Sequence, residues 1–317
     1  MAELRRIFAR QGGMKLVKQY WKSGVLLTAI AQFLFLGKSR VALEILRLST
    51  TLKTKQKLEK KYKQKLLEID RTYDVLMPHK NCKKIWVCWL QGMEDAPEIV
   101  KTCFKSIKRC ITSREIILIT GKNYREYIEF PSFIQEKIDK GIIKGAHMTD
   151  LLRLELLIKY GGTWIDATVL CVSNDIPKYM LESDLFMFQC LKPGRDGHVT
   201  VISNWFITAA SNNRLLINTR ELLYCYWEKN NDLVDYFIFH IFFQMCIELH
   251  PDEWKKVVPF CNSIPHILLL KLFEEYDEET WEVVCKMTPF HKLTYKFTDL
   301  EITLNNSYYE KVMEIYR

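Results

Sequence analysis

The sequence predicts an α/β fold, a body built on a parallel sheet with a basic helical segment ahead of it. Three observations predict it. Two short apolar runs, Lys84 to Leu90 and Glu115 to Thr120, flank a stretch of helical periodicity, which makes a βαβ unit. The composition, 48% hydrophobic with 12 Gly and 9 Pro in 317 residues, supplies a large core and rules out disordered and collagen-like classes. The charge is lopsided: of 46 Lys+Arg and 38 Asp+Glu, residues 1 to 84 hold 20 and 6, a net +14, leaving −6 on the other 233. A basic body reading nucleic acid is thereby disfavoured, because the cations lie on the N-terminal part.

That part holds an uncharged stretch of 14 residues, Gly24 to Gly37, between Lys15, Lys18 and Lys22 on one side and Lys38, Arg40 and Arg47 on the other. Spanning a bilayer takes about 20 apolar residues. A shorter uncharged helix between cationic flanks, with Tyr20 and Trp21 at its entrance, suits the headgroup region of an anionic membrane surface. A secretory signal fits poorly, since no small-residue cleavage site follows the stretch. Residues 51 to 75 continue as a polar helix whose apolar positions Leu58, Tyr62, Leu66, Ile69 and Tyr73 recur at spacings of 4, 4, 3 and 4, so one stripe docks and the rest is solvated. Pro78 breaks that helix. The expectation is a membrane-associating helical appendage over residues 1–80 and an α/β body over 81–317.

The body opens with Lys84 to Leu90, a buried strand closed by Gln91-Gly92. Asp95-Ala-Pro97-Glu98 starts a helix with an apolar stripe of Ile99, Val100, Cys103, Phe104 and Ile107, and Glu115 to Thr120 is the second strand. Ligands of such sheets bind at the carboxyl ends of the strands, so Trp89, Gln91 and Gly92 border a candidate site. No GxGxxG or GxxxxGK[ST] occurs, and a diphosphate would need a metal or cationic side chains in place of a glycine-rich cradle. Ten cysteines without a CxxC pair, many inside apolar runs, read as reduced core thiols.

Gly145 to Cys171 is the most informative segment. Thr149 to Tyr160 is helical in composition and ends in Gly161-Gly162, which supplies a left-handed cap. Asp150 and Arg153, three apart, share a face near the positive end of that helix. The strand that follows carries Asp166 among apolar residues, and a buried carboxylate is costly unless paired or ligating. Asp166 therefore points to a functional site, the plainer alternative being an ion pair with Arg153.

The run Asp150-x-x-Arg153, then Tyr160-Gly161-Gly162-x-Trp164-x-Asp166-x-Thr168, together with Trp89-x-x-Gly92, resembles the core of the bacterial capsular polysaccharide synthesis glycosyltransferases, which are similar to glycosyltransferase family 32. The resemblance implies a GT-A fold, a Rossmann-like nucleotide-diphospho-sugar transferase domain. By resemblance, Trp89 stacks on uracil, Asp150 and Arg153 bind the donor hexose, and Asp166 coordinates Mn²⁺ or Mg²⁺ or binds sugar. The second acidic position of the D-x-D pattern is Thr168, a weaker oxygen ligand, which bears on metal affinity. His291 and Lys292 look like the C-terminal elements that close over the diphosphate, His291 as metal or phosphate partner and Lys292 as phosphate partner. Family segments like those around Asn204, Asp235 and His240 line donor and acceptor sites.

The resemblance implies a hexosyltransferase that moves a hexose from a UDP-sugar, UDP-galactose before UDP-glucose, to a polyprenyl-diphosphate-linked saccharide at the cytoplasmic face of the plasma membrane, with retention of configuration. Two alternatives stay open. One is a noncatalytic membrane-bound subunit that binds UDP-sugar, the other a sugar-phosphate transferase.

Overall fold

The structure is a computed structural model and describes residues 13–73, 82–192, 197–297 and 305–316. Three helices come first, α1 (Met14–Lys22), α2 (Leu26–Leu36) and α3 (Arg40–Tyr73). Gly24 and Gly37 take φ of 64° and 74°, a conformation that costs glycine little, and they cut the apolar stretch down to the 11 residues of α2. The boundary expected at Pro78 lies outside the described residues.

The body then alternates: β1 (Lys84–Cys88), α4 (Glu98–Cys110), β2 (Glu115–Ile119), α5 (Tyr124–Tyr127), α6 (Ser132–Asp139), α7 (Ala146–Tyr160), β3 (Gly162–Asp166). Next come β4 (Val169–Cys171), α8 (Lys178–Glu182), β5 (Leu185–Gln189), β6 (Ile202–Ala209), α9 (Arg214–Lys229), α10 (Ile238–Leu249) and α11 (Pro251–Trp254). The chain closes with α12 (Ile267–Lys271), α13 (Glu278–Met287), β7 (Phe290–Lys292) and α14 (Tyr308–Ile315).

Five strands form a mixed open sheet in the order β2-β1-β3-β6-β5. β2, β1 and β3 run parallel; β6 is antiparallel to β3, and β5 to β6. Successive residues of a strand face opposite sides. In β1, Trp86 and Cys88 therefore join a core with α3, α7, α9 and α10, while Ile85 and Val87 join a second core with α4, α13 and α14. Burial on both faces explains why these strands read as continuous apolar runs. A separate two-stranded antiparallel ladder pairs β4 with β7.

The parallel β2-β1-β3 part of the sheet is as expected, β6 and β5 make the whole mixed rather than parallel, and the membrane-associating appendage is overturned. Among the described residues no helix is long and apolar enough to cross a membrane. The segment is also docked on the body rather than set apart from it. Leu58, Tyr62, Leu66 and Ile69 of α3 lie in the main core, Tyr62 edge-on to Phe242 at 5.4 Å. Polar ties reinforce the seat: Lys55 Nζ to Glu248 at 2.5 Å, Asn218 Nδ2 to Asp70 at 2.7 Å, and His250 to the same Asp70 oxygen at 2.7 Å. Gln19 of α1 donates to the Val234 carbonyl, and Lys22 pairs with Asp232. These findings overturn the appendage, and with it the placement at the cytoplasmic face of the plasma membrane that rested on it. Of the flanking cations, Arg40 and Arg47 belong to α3, whose apolar stripe closes the core, and Lys22 of α1 is paired with Asp232 of the body.

Candidate active site

From β1 the chain moves outward to β2 on one side, then returns past β1 to place β3 on its other side. The carboxyl ends of β1 and β3 thus flank the point where strand order reverses, and there an open α/β sheet leaves a crevice. Asp166 ends β3 directly opposite Cys88, the last residue of β1, and Trp89 follows.

The flanking helix α7 adds Asp150 and Arg153, both buried. Asn204 Nδ2, from β6, donates to Asp150 Oδ1 at 2.8 Å. The Arg153 guanidinium lies 3.6 Å from Asp150 and 3.5 Å from Asp166, donates to the Asn204 carbonyl, and rests on the Trp164 ring 4.9 Å from its centroid. Trp164 Nε1 donates to Asp166 Oδ1 at 2.9 Å. On the other side Lys292 Nζ reaches Asp166 Oδ2 at 3.0 Å and Thr168 Oγ1 at 2.5 Å. Burial pushes the Asp166 carboxyl up, but the charges of Lys292 and Arg153 and the hydrogen bonds from Trp164 and Lys292 outweigh it and hold it below the ordinary carboxylate range.

Aromatic residues rim this network. Trp89 meets Tyr295 edge-on at 5.2 Å, and its buried Nε1 has no hydrogen-bond partner among the described residues. Tyr236 packs edge-on against His147 at 5.4 Å, and His147 Nδ1 lies 3.7 Å from Asp150 Oδ2. Burial raises the pKa of the Tyr236 hydroxyl, and the nearby Asp150 carboxylate adds to the rise. Two cavities of about 670 and 730 Å³ lie elsewhere, one lined by Glu155, Arg220 and Tyr224, the other by Cys110, Trp281 and Tyr316. Neither gathers comparable chemistry with an end of the parallel strands, so the site is placed at the switch point.

Residues 42–312 match the family described as capsular polysaccharide synthesis protein, a span that takes in every residue of this network. The chain belongs to that family. Among curated proteins it is similar to the O-glycosyltransferase PaGT of Phomopsis amygdali, 28% identical over 147 residues, and to the O-glycosyltransferase braB of Annulohypoxylon truncatum, 27% identical over 169. These matches cover 41% and 48% of this chain, and span only 35% and 39% of those relatives' own lengths. Among solved structures, PaToxG Glycosyltransferase superposes with a TM-score of 0.39 at 16% identity, over 82% of this chain and 96% of that one, too loosely to argue from.

Of the residues singled out in the sequence, the family fold brings Asp150, Arg153, Asp166, Thr168, Asn204 and Lys292 into one connected group, with Trp89 beside it. Gly92, at φ 89°, donates its N–H to the Trp89 carbonyl at 2.9 Å and closes the turn; Gln91 on that turn is exposed. Asp235 faces elsewhere: its Oδ1 accepts from Phe237 N at 2.8 Å, and it neighbours Thr51 and Tyr20, so burial raises its pKa. The neighbouring Tyr236 is the one turned toward the carboxylates. His240 lies half-buried near Asp150 and Arg153, its pKa driven by burial to about 4.

The metal set expected at Asp166, Thr168 and His291 does not fit these residues. Lys292 already fills the space between the first two. His291, next to it on β7, points to the opposite face. There it is fully buried with neither ring nitrogen hydrogen-bonded among the described residues, and burial drives its pKa to about 4. Among the described residues no group of three or more His, Cys, Asp or Glu is placed to hold a metal ion.

Proposed function

We propose that this chain is a glycosyltransferase that takes a hexose from a UDP-sugar and passes it to the hydroxyl of a saccharide acceptor. The observation that carries the reading is the Asp150–Arg153–Asp166–Asn204–Lys292 network at the carboxyl ends of β1 and β3. Family membership and the likeness to two O-glycosyltransferases support it. A UDP-sugar presents a flat base, a diphosphate dianion and a ring of hydroxyls, and the site offers a match for each. Trp89 supplies an aromatic face at the end of β1 for uracil. Lys292 supplies a cation for the diphosphate. Asp150 accepts, and Asn204 both accepts and donates, so together they can read sugar hydroxyls.

Arg153 holds both carboxylates in place. In the reaction the bond from the acceptor oxygen to the anomeric carbon forms as the bond from that carbon to the phosphate oxygen breaks. The acceptor proton passes to the departing diphosphate on the same face, giving retention. Positioning and charge stabilisation then supply the rate, without a protein nucleophile.

The test is UDP release from UDP-galactose, UDP-glucose and other UDP-sugars with saccharide acceptors, comparing wild type with Asp166→Ala. One donor should release UDP, and the substitution should slow it by about 100-fold or more. Absence of UDP binding and of release with every donor would overturn the reading.

A further inference from the structure

Lys292 does more than lie near the carboxylate. Its strand is fixed in register, Val169 opposite Lys292, and Leu293 N donates to the Thr168 carbonyl at 2.9 Å. The ladder therefore delivers the ammonium to the Asp166-x-Thr168 segment through paired backbone rather than through a floppy stem. There Nζ bridges Asp166 Oδ2 at 3.0 Å and Thr168 Oγ1 at 2.5 Å, with the side chain 18% exposed. An ammonium has three donors, and these two bonds leave one unused among the described residues.

We propose that Lys292 is a built-in cation standing where the family pattern would place a divalent metal, so that the diphosphate is held and its charge balanced without one. The inference rests on the reading that this site takes a UDP-sugar. Two features that look unrelated in sequence then have one cause. A threonine at position 168 is a poor partner for a hard dication, which favours carboxylate oxygens. Its neutral hydroxyl is a good acceptor for an ammonium, and it adds no second negative charge that one lysine would leave uncompensated. A dication on Asp166 would also meet the Lys292 charge at close range, and like charges that near repel strongly where water is scarce.

The experiment is calorimetric titration of the full chain with UDP and with uridine, in EDTA and in Mn²⁺. UDP should bind with the same affinity in both, within about twofold. Lys292→Met should weaken UDP binding by about 10- to 100-fold, the value of a charge-assisted hydrogen bond. Uridine, which lacks the phosphates, should bind that variant as it binds wild type.

UDP binding to wild type that tightens about tenfold or more with Mn²⁺ overturns the inference while leaving the UDP-sugar reading standing. So does a Lys292→Met chain that binds UDP normally. No UDP binding in either condition overturns both. Should Lys292→Met lose uridine binding through misfolding, Lys292→Arg decides. UDP affinity kept in EDTA sustains the built-in cation, and affinity lost while uridine still binds overturns it.

Discussion

Asp166 carries one negative charge between two positive ones and accepts a hydrogen bond from Trp164 Nε1, which explains why a carboxylate is tolerated at the end of a buried strand. Its lowered pKa fixes the sign of its pH dependence. The stabilisation it contributes is fully present above the unfolded carboxylate pKa, and is lost only as pH falls through the lowered folded value. Asp166→Asn would leave Arg153 and Lys292 facing each other across a neutral amide. Allowing for the partial exposure of Asp166, the expected loss is about 2 kcal/mol by urea unfolding, together with the loss of UDP release. An unchanged unfolding midpoint would mean the ion pairs contribute nothing.

His291 behaves in the opposite way, as a neutral group sealed in the core with its pKa depressed by burial from 6.5 to about 4. Stability should be whole above pH 6.5 and fall by up to about 3 kcal/mol as pH drops toward 4, because the unfolded chain takes up the proton first. His291→Phe should flatten that part of a plot of unfolding free energy against pH; an unaltered slope would assign the acid sensitivity to other groups.

At the scale of elements, the turn from α7 into β3 sets the position of everything in the site. Gly161 N closes the helix on the Leu157 carbonyl at 2.9 Å, and the Gly161 carbonyl accepts from Trp86 Nε1 at 2.9 Å. Gly162 has φ of 96°, and a Cβ there would come within 2.5 Å of the Lys84 carbonyl oxygen. Gly162→Ala should therefore cost about 3 kcal/mol, from strain in φ plus the forced separation of β1 from β3, measurable as a lowered unfolding midpoint.

This turn was legible in the sequence because its signal is local: helical composition, two glycines, then an apolar run. Asp150, Arg153 and Asp166 were legible for the same reason, charges placed where a helix start and a strand would bury them. Tyr236, His147 and Tyr295 were not, since nothing local separates them from ordinary surface aromatics or an ordinary histidine. The sequence favoured Asp235 over Tyr236, and only the way α10 begins decides which of the two faces the carboxylates. It also put His291 with Lys292. Strand alternation separates them, and that follows only once the pairing of β7 with β4 is known.

For the whole molecule the decisive question is whether the N-terminal helices are a passenger or a wall of the body. The periodicity of Leu58, Tyr62, Leu66 and Ile69 marks a docking stripe already in the sequence, whereas the uncharged stretch Gly24 to Gly37 between cations pointed to a membrane surface outside the protein. Seven of the 34 residues of α3 are lysines between positions 53 and 65, but one of them, Lys55, is 7% exposed and paired with Glu248 and Glu59, so even part of the charge is internal structure. Removing residues 1–39 takes away α1 and α2 and, among the described residues, only Val25 and Ala29 as buried apolar side chains, and should leave cooperative unfolding. Removing residues 1–73 also strips the stripe from α10 and leaves Asn218 and His250 without Asp70. Losing four large apolar side chains from one core at about 2 to 3 kcal/mol each approaches the whole stability of a typical domain. The shorter chain should show no cooperative transition and should bind a hydrophobic dye at neutral pH. If it instead unfolds as sharply as the chain lacking only residues 1–39, α3 is an ornament on a body that is complete without it.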